Sequence, residues 1–282
     1  MNLKFTKMHG LGNDFVVIDC ITQSIDFDRA GGLDREKIQF IADRRFGVGC
    51  DQVLLIESPR SAATDFYYRI FNADGGEVQQ CGNGARCLAR FVSDNKLTSK
   101  DKIRVETISG VIEIEIGADG LVTVNMGEPY FNPKDLPMLA DKVQESYILE
   151  VNEQQLEIGA VSMGNPHAVM IVDKIDSAPV GTTGKALATH PVFPQGVNAG
   201  FMEIINRHHI KLRVYERGVG ETLACGTGAC AAVAIARSRN IVDSQVKVDL
   251  KGGCLSIHWD GGQAPVLMTG PAQFVFEGSI QL

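Results

Sequence analysis

Two cysteines occupy equivalent places in a repeated segment, and their type and spacing suit proton transfer. Residues 69–87 read RIFNADGGEVQQCGNGARC and residues 213–231 read RVYERGVGETLACGTGACA. At a constant offset of 144, Arg69, Gly76, Glu77, Cys81, Gly82, Gly84 and Ala85 meet Arg213, Gly220, Glu221, Cys225, Gly226, Gly228 and Ala229. A chain that folds one unit twice can bring two like thiols together, one from each unit. A thiolate on one face of a carbon and a thiol on the other can remove a proton from one side and return it to the opposite side.

Each cysteine precedes a glycine pair and an alanine-rich stretch with helical spacing. The first backbone N–H groups of a helix lack intrahelical partners, and the helix dipole adds positive charge there. Glycine lets such a turn approach an anion closely, so each CGxG start is a candidate carboxylate grip. The same environment is expected to lower the Cys81 and Cys225 thiols from the free value of ~8.5 toward neutrality. Cys87 and Cys230 do not match each other in the repeat and read as small buried hydrophobes; Cys20, Cys50 and Cys254 have no partner motif and read as structural packing, except that Cys50 adjoins a site loop. The C-x5-C and C-x4-C spacings fall outside common zinc patterns, so no metal is expected.

The echo extends to amide residues. Gly12-Asn13 precedes one apolar run and Gly164-Asn165 another, Gln52 and Asn198 each follow a glycine-containing loop, and the offsets are 152, 146 and 144 in chain order. Asn13, Gln52, Asn72, Asn83, Asn165 and Asn198 form a candidate shell, since neutral amides offer donors and acceptors to a zwitterion. Glu216 and Arg217 stand where the first half carries Asn72 and Ala73. Arg217 could hold a second carboxylate bidentately, and Glu216 could pair an ammonium or modulate a thiol. His167, in Asn165-Pro166-His167, is a candidate for tuning a thiol pKa, while His208-His209 are expected to point to opposite faces and not to share a metal.

These residues must be positioned by mixed strands and helices in each half. Strands are expected at 3–8, 15–20, 52–57, 65–71, 103–108, 111–116 and 121–126. Helices are expected from Asp34 to about Arg45 and from Asn83 to about Asp94. VIEIEI at 111–116 alternates strictly, which marks a half-exposed sheet. The second half repeats this grammar, with strands at 156–162, 167–173, 200–206, 209–216, 245–250, 254–258 and 264–268, helices at 182–190 and 227–239, and a last strand after Gly270-Pro271. Pro129, Pro133 and Pro137 mark residues 125–137 as a linker. The expected fold is α+β: two pseudo-symmetric domains, 1–126 plus 271–282 and 127–270, with the active site in the cleft between them.

Composition bounds the function class. With 22% charged and 44% hydrophobic residues, the chain reads as soluble and globular. A net charge of −7 without a basic stripe argues against a nucleic-acid partner. No apolar run reaches the ~18 residues of a membrane span, and MNLKFTKMHG lacks a signal-peptide core. Seven cysteines, an odd number, favour a reducing compartment, so a cytoplasmic protein is expected.

MHGLGNDFVVID (8–19), GCDQ (49–52), FNADGGEVQQCGNGARCLARF (71–91), GNPHAV (164–169), VNAGF (197–201) and YERGVGETLACGTGACA (215–231) together resemble the diaminopimelate epimerase family across almost the whole chain. The resemblance implies a cofactor-independent isomerase that interconverts LL- and meso-2,6-diaminopimelate in lysine and peptidoglycan precursor synthesis. It implies a two-domain fold whose last strand returns to the first domain, and commonly a homodimer. Cys81 and Cys225 match the acid/base pair. Asn13, Gln52, Asn72, Gly82, Asn83, Asn165, Asn198, Glu216, Arg217, Gly226 and Thr227 match substrate-binding positions, and His167 and Glu216 match positions that modulate the cysteines. The rival readings are a proline-type two-cysteine racemase, whose family typically has histidine where Asn83 stands, and a thiol redox protein using the same fold.

Overall fold

The computed structural model describes residues 1–25, 32–78 and 81–282. It divides into two compact units, Met1–Val124 with Gly270–Leu282, and Asn125–Thr269. Gln79 and Gln80 of the first cysteine motif lie outside the described residues.

In the first unit, β1 (Asn2–Gly10) turns through Leu11 and Gly12, both at positive φ, into β2 (Asn13–Asp19). Helix α1 (Arg35–Ala42) leads to β3 (Gln52–Glu57), which runs parallel to β2, and β4 (Phe66–Asn72) returns antiparallel to β3. The two-residue β5 (Glu77–Val78) folds back on β4 before helix α2 (Gly82–Asp94). A meander of β6 (Lys102–Thr107), β7 (Gly110–Ile116) and β8 (Val122–Asn125) follows, with β6 parallel to β4. The chain's last strand, Gln273–Gln281, pairs antiparallel with β1. Val53 to Ile56 of β3 are buried on both faces. On β7, Ile112 and Ile114 point inward and Glu113 and Glu115 outward, as the alternation requires.

The second unit repeats this order strand for strand. Here β9 (Tyr147–Val151) pairs with β10 (Gln154–Ser162) as the last strand pairs with β1. Strand β10 is antiparallel to β11 (Pro166–Ile171), β11 parallel to β12 (Asn198–Asn206), and β12 antiparallel to β13 (His209–Glu216). A two-residue β14 (Gly220–Glu221) precedes helix α4 (Gly226–Ser238), after α3 (Lys185–Ala188) earlier in the unit. Strands β15 (Gln245–Leu250), β16 (Gly253–His258) and β17 (Leu267–Gly270) form the closing meander, β15 parallel to β13. The last strand is therefore β18, and it does for β1 what β9 does for β10.

Each unit has its own apolar core. Leu3, Val16, Ile18, Ile38, Ile41, Val53, Leu55 and Phe71 cluster in the first, and Ile158, Ala168, Met170, Leu187, Phe193 and Phe201 in the second. Helix α4 is buried almost all round, from Gly228 to Ala236, because its alanines let strands pack close on every side.

Several expectations change. Residues 125–137 are not a linker: Tyr130 bridges Ser162, and Leu136 and Met138 are buried in the core of the second unit, the prolines serving turns rather than a tether. The helix expected at 182–190 is a π-helical turn, Val180–Gly184, followed by one turn of α-helix. Gly181 and Gly184 weaken regular helix there, and Pro191 disfavours helical backbone at His190. Helix α1 stops at Ala42 because the Asp43 carboxylate takes the amides of Arg45 and Phe46. The strand expected at 264–268 lies at Leu267–Gly270, and the short β5, β9 and β14 carried too few residues for a periodic signal.

Gly84 in the first turn of α2 is set by packing. A Cβ there would lie 2.5 Å from the Tyr68 hydroxyl oxygen, which is buried with no hydrogen-bond partner among the described residues. Gly84→Ala should lower unfolding free energy in urea by about 1–3 kcal/mol, and adding Tyr68→Phe should restore more than half of that loss. Equal stability of Gly84→Ala and the parent would contradict this packing.

Candidate active site

The topology of the first unit places Asn13 at the start of β2, Gln52 at the start of β3 and Asn72 at the end of β4, three neighbouring strands. These residues therefore share one end of the sheet, with Gln52 Nε2 donating to Asn72 Oδ1 at 2.8 Å. The chain turns from that end through β5 to Cys81, which caps α2 in extended conformation and whose carbonyl accepts from Ala85 N–H. The Cys81 Sγ lies 3.6 Å from Asn13 Oδ1, and Asn83 Nδ2 donates to the same oxygen at 3.2 Å. The structure thus brings Asn13, Cys81 and Asn83 together, beside Gly82 in the helix's first turn and next to the Gln52–Asn72 pair.

Two charged groups decide which way these amides point. Arg86, fully buried on α2, can only donate, and its Nη2 takes Asn83 Oδ1 at 2.7 Å while its Nε holds the Pro271 carbonyl. Asp51 can only accept, and it takes Asn13 Nδ2 at 3.1 Å. Asn83 therefore turns its NH2 to Asn13, and Asn13 turns its oxygen to both Asn83 and the Cys81 sulfur, an acceptor that a thiol S–H can use. Asp51 is fixed in turn by Arg44, which also forks onto Asp14 at 3.0 and 2.7 Å. Burial pushes the Asp14 carboxyl up, but hydrogen bonds from Arg44, Lys7 and the Asp51 amide outweigh it and hold it well below the carboxylate range. Arg86, Asp51 and Asp14 were missed in the sequence; the i, i+3 spacing of Asn83 and Arg86 on a helix was the available signal.

The second unit repeats the scaffold with different chemistry. Asn165 immediately precedes β11, Asn198 begins β12 beside His167, and Glu216 ends β13. Cys225 caps α4 as Cys81 caps α2 and is 4% exposed. Its Sγ lies 3.6 Å from Thr227 Oγ1, which accepts from Asn165 Nδ2 at 3.3 Å. His167 Nε2 meets Asn165 Oδ1 at 3.0 Å, and its Nδ1 is buried with no partner among the described residues. Asn198 is oriented by the backbone, donating one N–H to the Pro166 carbonyl and accepting from the Arg217 amide. Glu216 accepts from the Thr222 hydroxyl and from Cys225. The Arg217 side chain is held by the Gln195 carbonyl at 2.6 Å, and Gly226 lies buried at the start of α4.

The expected fall of the Cys225 thiol toward neutrality is corrected. Burial pushes it well above the ordinary thiol value, and the neighbouring Glu216 carboxylate pushes the same way, against smaller opposing effects of Thr227 and the Gly228 amide. Two helix-start donors cannot offset removal from water beside a carboxylate. Burial also raises Glu216. Cys50 is pushed up to about 12 and Cys87 further, by burial in both cases, as expected of packing thiols. His208 and His209 pair with separate acids, Asp243 and Asp249.

The diaminopimelate epimerase family model matches residues 5–132 and 159–275. A diaminopimelate epimerase of Nitrosomonas europaea is 57% identical over the full length of both chains, and one of Nitrosospira multiformis is 55% identical over all of this chain and 99% of its own. A hydroxyproline epimerase structure from Agrobacterium vitis superposes with a TM-score of 0.72 at 14% identity, covering 99% of this chain and 92% of that one, which shows a shared fold.

Burial holds His167 down to about 3, with Arg217 adding to the effect, against 6.5 for an ordinary imidazole. The unfolded chain thus binds one more proton than the folded chain between those values. The stability this provides is complete above about pH 6.5 and is lost as pH falls toward 3. His167→Gln should flatten the pH dependence of the melting temperature between pH 6.5 and 4; an unchanged slope would mean that His167 is not held neutral. The cysteine motifs, the repeated amide positions and the full-length relatedness together make the chain a member of the diaminopimelate epimerase family.

Proposed function

We propose that this chain interconverts LL- and meso-2,6-diaminopimelate by taking the α-proton onto one cysteine sulfur and delivering a proton from the other, without a cofactor. The observation that carries the reading is the duplicated helix start: each unit sets one cysteine at the cap of a helix, with an asparagine at the start of the matching strand close by, Asn13 at β2 and Asn165 just before β11. In the proposed reaction one sulfur, as thiolate, takes the α-proton, and the other, as thiol, delivers a proton to the opposite face. Backbone N–H groups at Gly82, Asn83, Gly226 and Thr227 receive the charge that develops on the carboxylate. Each well-aimed donor of this kind is worth about 3 kcal/mol in the transition state. Asn13, Gln52, Asn72, Asn165 and Asn198 bind the zwitterion, and Arg217 and Glu216 serve a charged group at one of its ends. His167, kept neutral, and Glu216 tune the cysteine of their own unit. Full-length relatedness to named diaminopimelate epimerases supports the substrate, and with it a role in lysine and peptidoglycan precursor synthesis in the cytoplasm.

Cys81→Ala and Cys225→Ala should each abolish epimerisation while preserving the circular dichroism of the parent; parent-like turnover in either variant would end the two-base reading. The parent should exchange the α-proton of diaminopimelate with deuterated water without added pyridoxal phosphate or metal, and should leave proline unexchanged. Arg217→Ala should raise KM for diaminopimelate, and an unaltered kcat/KM would remove Arg217 from the binding shell.

We also propose a homodimer. Strand β18 carries Phe274, Val275 and Phe276 at 56%, 47% and 44% exposure, a run of apolar side chains on both faces of one strand. Such a run supports burial against a second copy. Val275→Glu should shift sedimentation from dimer toward monomer; a parent that sediments as a monomer would refute the proposal.

A further inference from the structure

One part of the repeat has no role in the proton transfer itself. Arg69 and Glu77 recur as Arg213 and Glu221, and the structure joins each pair by the same two-pronged contact. Arg69 donates to Glu77 through Nε at 2.8 Å and Nη2 at 2.6 Å. Arg213 donates to Glu221 through Nε at 2.7 Å and Nη2 at 3.0 Å. The register is also the same. Glu77 sits across from Phe71, two residues beyond Arg69, and Glu221 sits across from Tyr215, two residues beyond Arg213. The arginine and glutamate side chains are 14% and 22% exposed in the first pair and 17% and 22% in the second, so water screens them less than a surface pair.

Their place in the chain gives the forks a task. Each glutamate lies four residues before its cysteine, on a return strand of two residues, β5 or β14. Two ladder positions make a weak hairpin, and the loops across it carry Asn72 on one side in the first unit and Glu216 and Arg217 in the second. A two-pronged arginine–carboxylate contact fixes direction as well as distance. Arg213 extends the hold, its Nη1 taking the Ile175 carbonyl at 3.0 Å.

We propose that Arg69–Glu77 and Arg213–Glu221 are positioning pairs, each locking the short strand that sets the place of one thiol: the first pair for Cys81, the second for Cys225. The proposal rests on the two-thiol reading above. Neither pair touches the reacting atoms. Each acts by holding its sulfur within the narrow geometry that proton transfer needs, where a displacement of about 1 Å can cost on the order of 100-fold in rate.

The test compares Glu77→Gln and Glu221→Gln with the parent, each variant keeping the shape of the side chain and losing the ion pair. Steady-state kinetics with diaminopimelate should show kcat about 10- to 100-fold lower with KM within about threefold. The rate of iodoacetamide labelling, read peptide by peptide by mass spectrometry, should change at least about threefold at Cys81 in Glu77→Gln and stay within about twofold at Cys225, with the reverse in Glu221→Gln. A general loss of stability would move both thiols together or neither. Parent-like kcat in folded Glu77→Gln and Glu221→Gln, or labelling changes that do not follow the unit carrying the substitution, overturns the proposal. Should either glutamine variant fail to fold, Glu77→Asp and Glu221→Asp, which keep the charge on a shorter arm, must show the same unit-specific pattern. Parent-like turnover in Cys81→Ala or Cys225→Ala would instead remove the two-thiol reading beneath it.

Discussion

A helix that starts abruptly at a strand end has backbone N–H groups with nothing inside the helix to bond, and this chain builds that situation twice. In each unit an interior strand finishes at one end of the sheet, a two-residue strand folds back, and a cysteine takes the cap position of the next helix. Glycine after each cysteine leaves the space before those orphan amides open. The parallel pairing of β2 with β3, and of β11 with β12, then carries Asn13 and Gln52, or Asn165 and Asn198, to the same end of the sheet as the cysteine. The remaining strands and both cores follow from keeping that end fixed.

The two units share the scaffold and differ in how charge is compensated. Asp14 remains ionised although half-buried, because Arg44 and Lys7 reach it from two sides. Among the described residues no such cation contacts Cys225 or Glu216 directly, and burial raises both. His167 is kept neutral by the same removal from water. Proximity to a helix start is thus a weaker influence on a thiol than its solvent exposure and the sign of the nearest charged side chain. In the first unit, fixed charges at Arg86 and Asp51 orient neutral amides; in the second, the Thr227 hydroxyl and the Glu216 carboxylate, itself held by the Thr222 hydroxyl, flank the sulfur.

The repeat also explains how the chain closes. In the second unit β9 lies beside β10 and is continuous with it in sequence, whereas the corresponding partner of β1 is distant from it in sequence. Strand β18, at the far end of the sequence, takes that position beside β1, with eight ladder partners from Asn2 to His9. The buried Arg86 reaches the Pro271 carbonyl at the entrance to this strand, so the chain's last segment is tied to the helix that Cys81 begins.

Much was legible in the residues alone. The 144-residue echo gave two like units, and the offsets of 152 and 146 already paired Asn13 with Asn165 and Gln52 with Asn198. Strict alternation at 111–116 and helical spacing after each CGxG named their elements correctly, because local periodicity depends only on which face meets the core. What the residues alone did not decide was long-range and electrostatic. The prolines of 125–137 gave the signal of a linker, while packing of Leu136 and Met138 drew that stretch into a core. Asp51 and Thr222 have unremarkable neighbours in sequence, and only folding sets them against Asn13 and Glu216. A helix start next to Cys225 foretold a lowered thiol, but the depth of its burial and the approach of Glu216 are tertiary facts, and they reverse the sign. Residue types and spacing determined which groups are proposed for the chemistry; the three-dimensional arrangement decided their charge, because desolvation and neighbouring fields depend on everything packed around a side chain and not on the chain beside it.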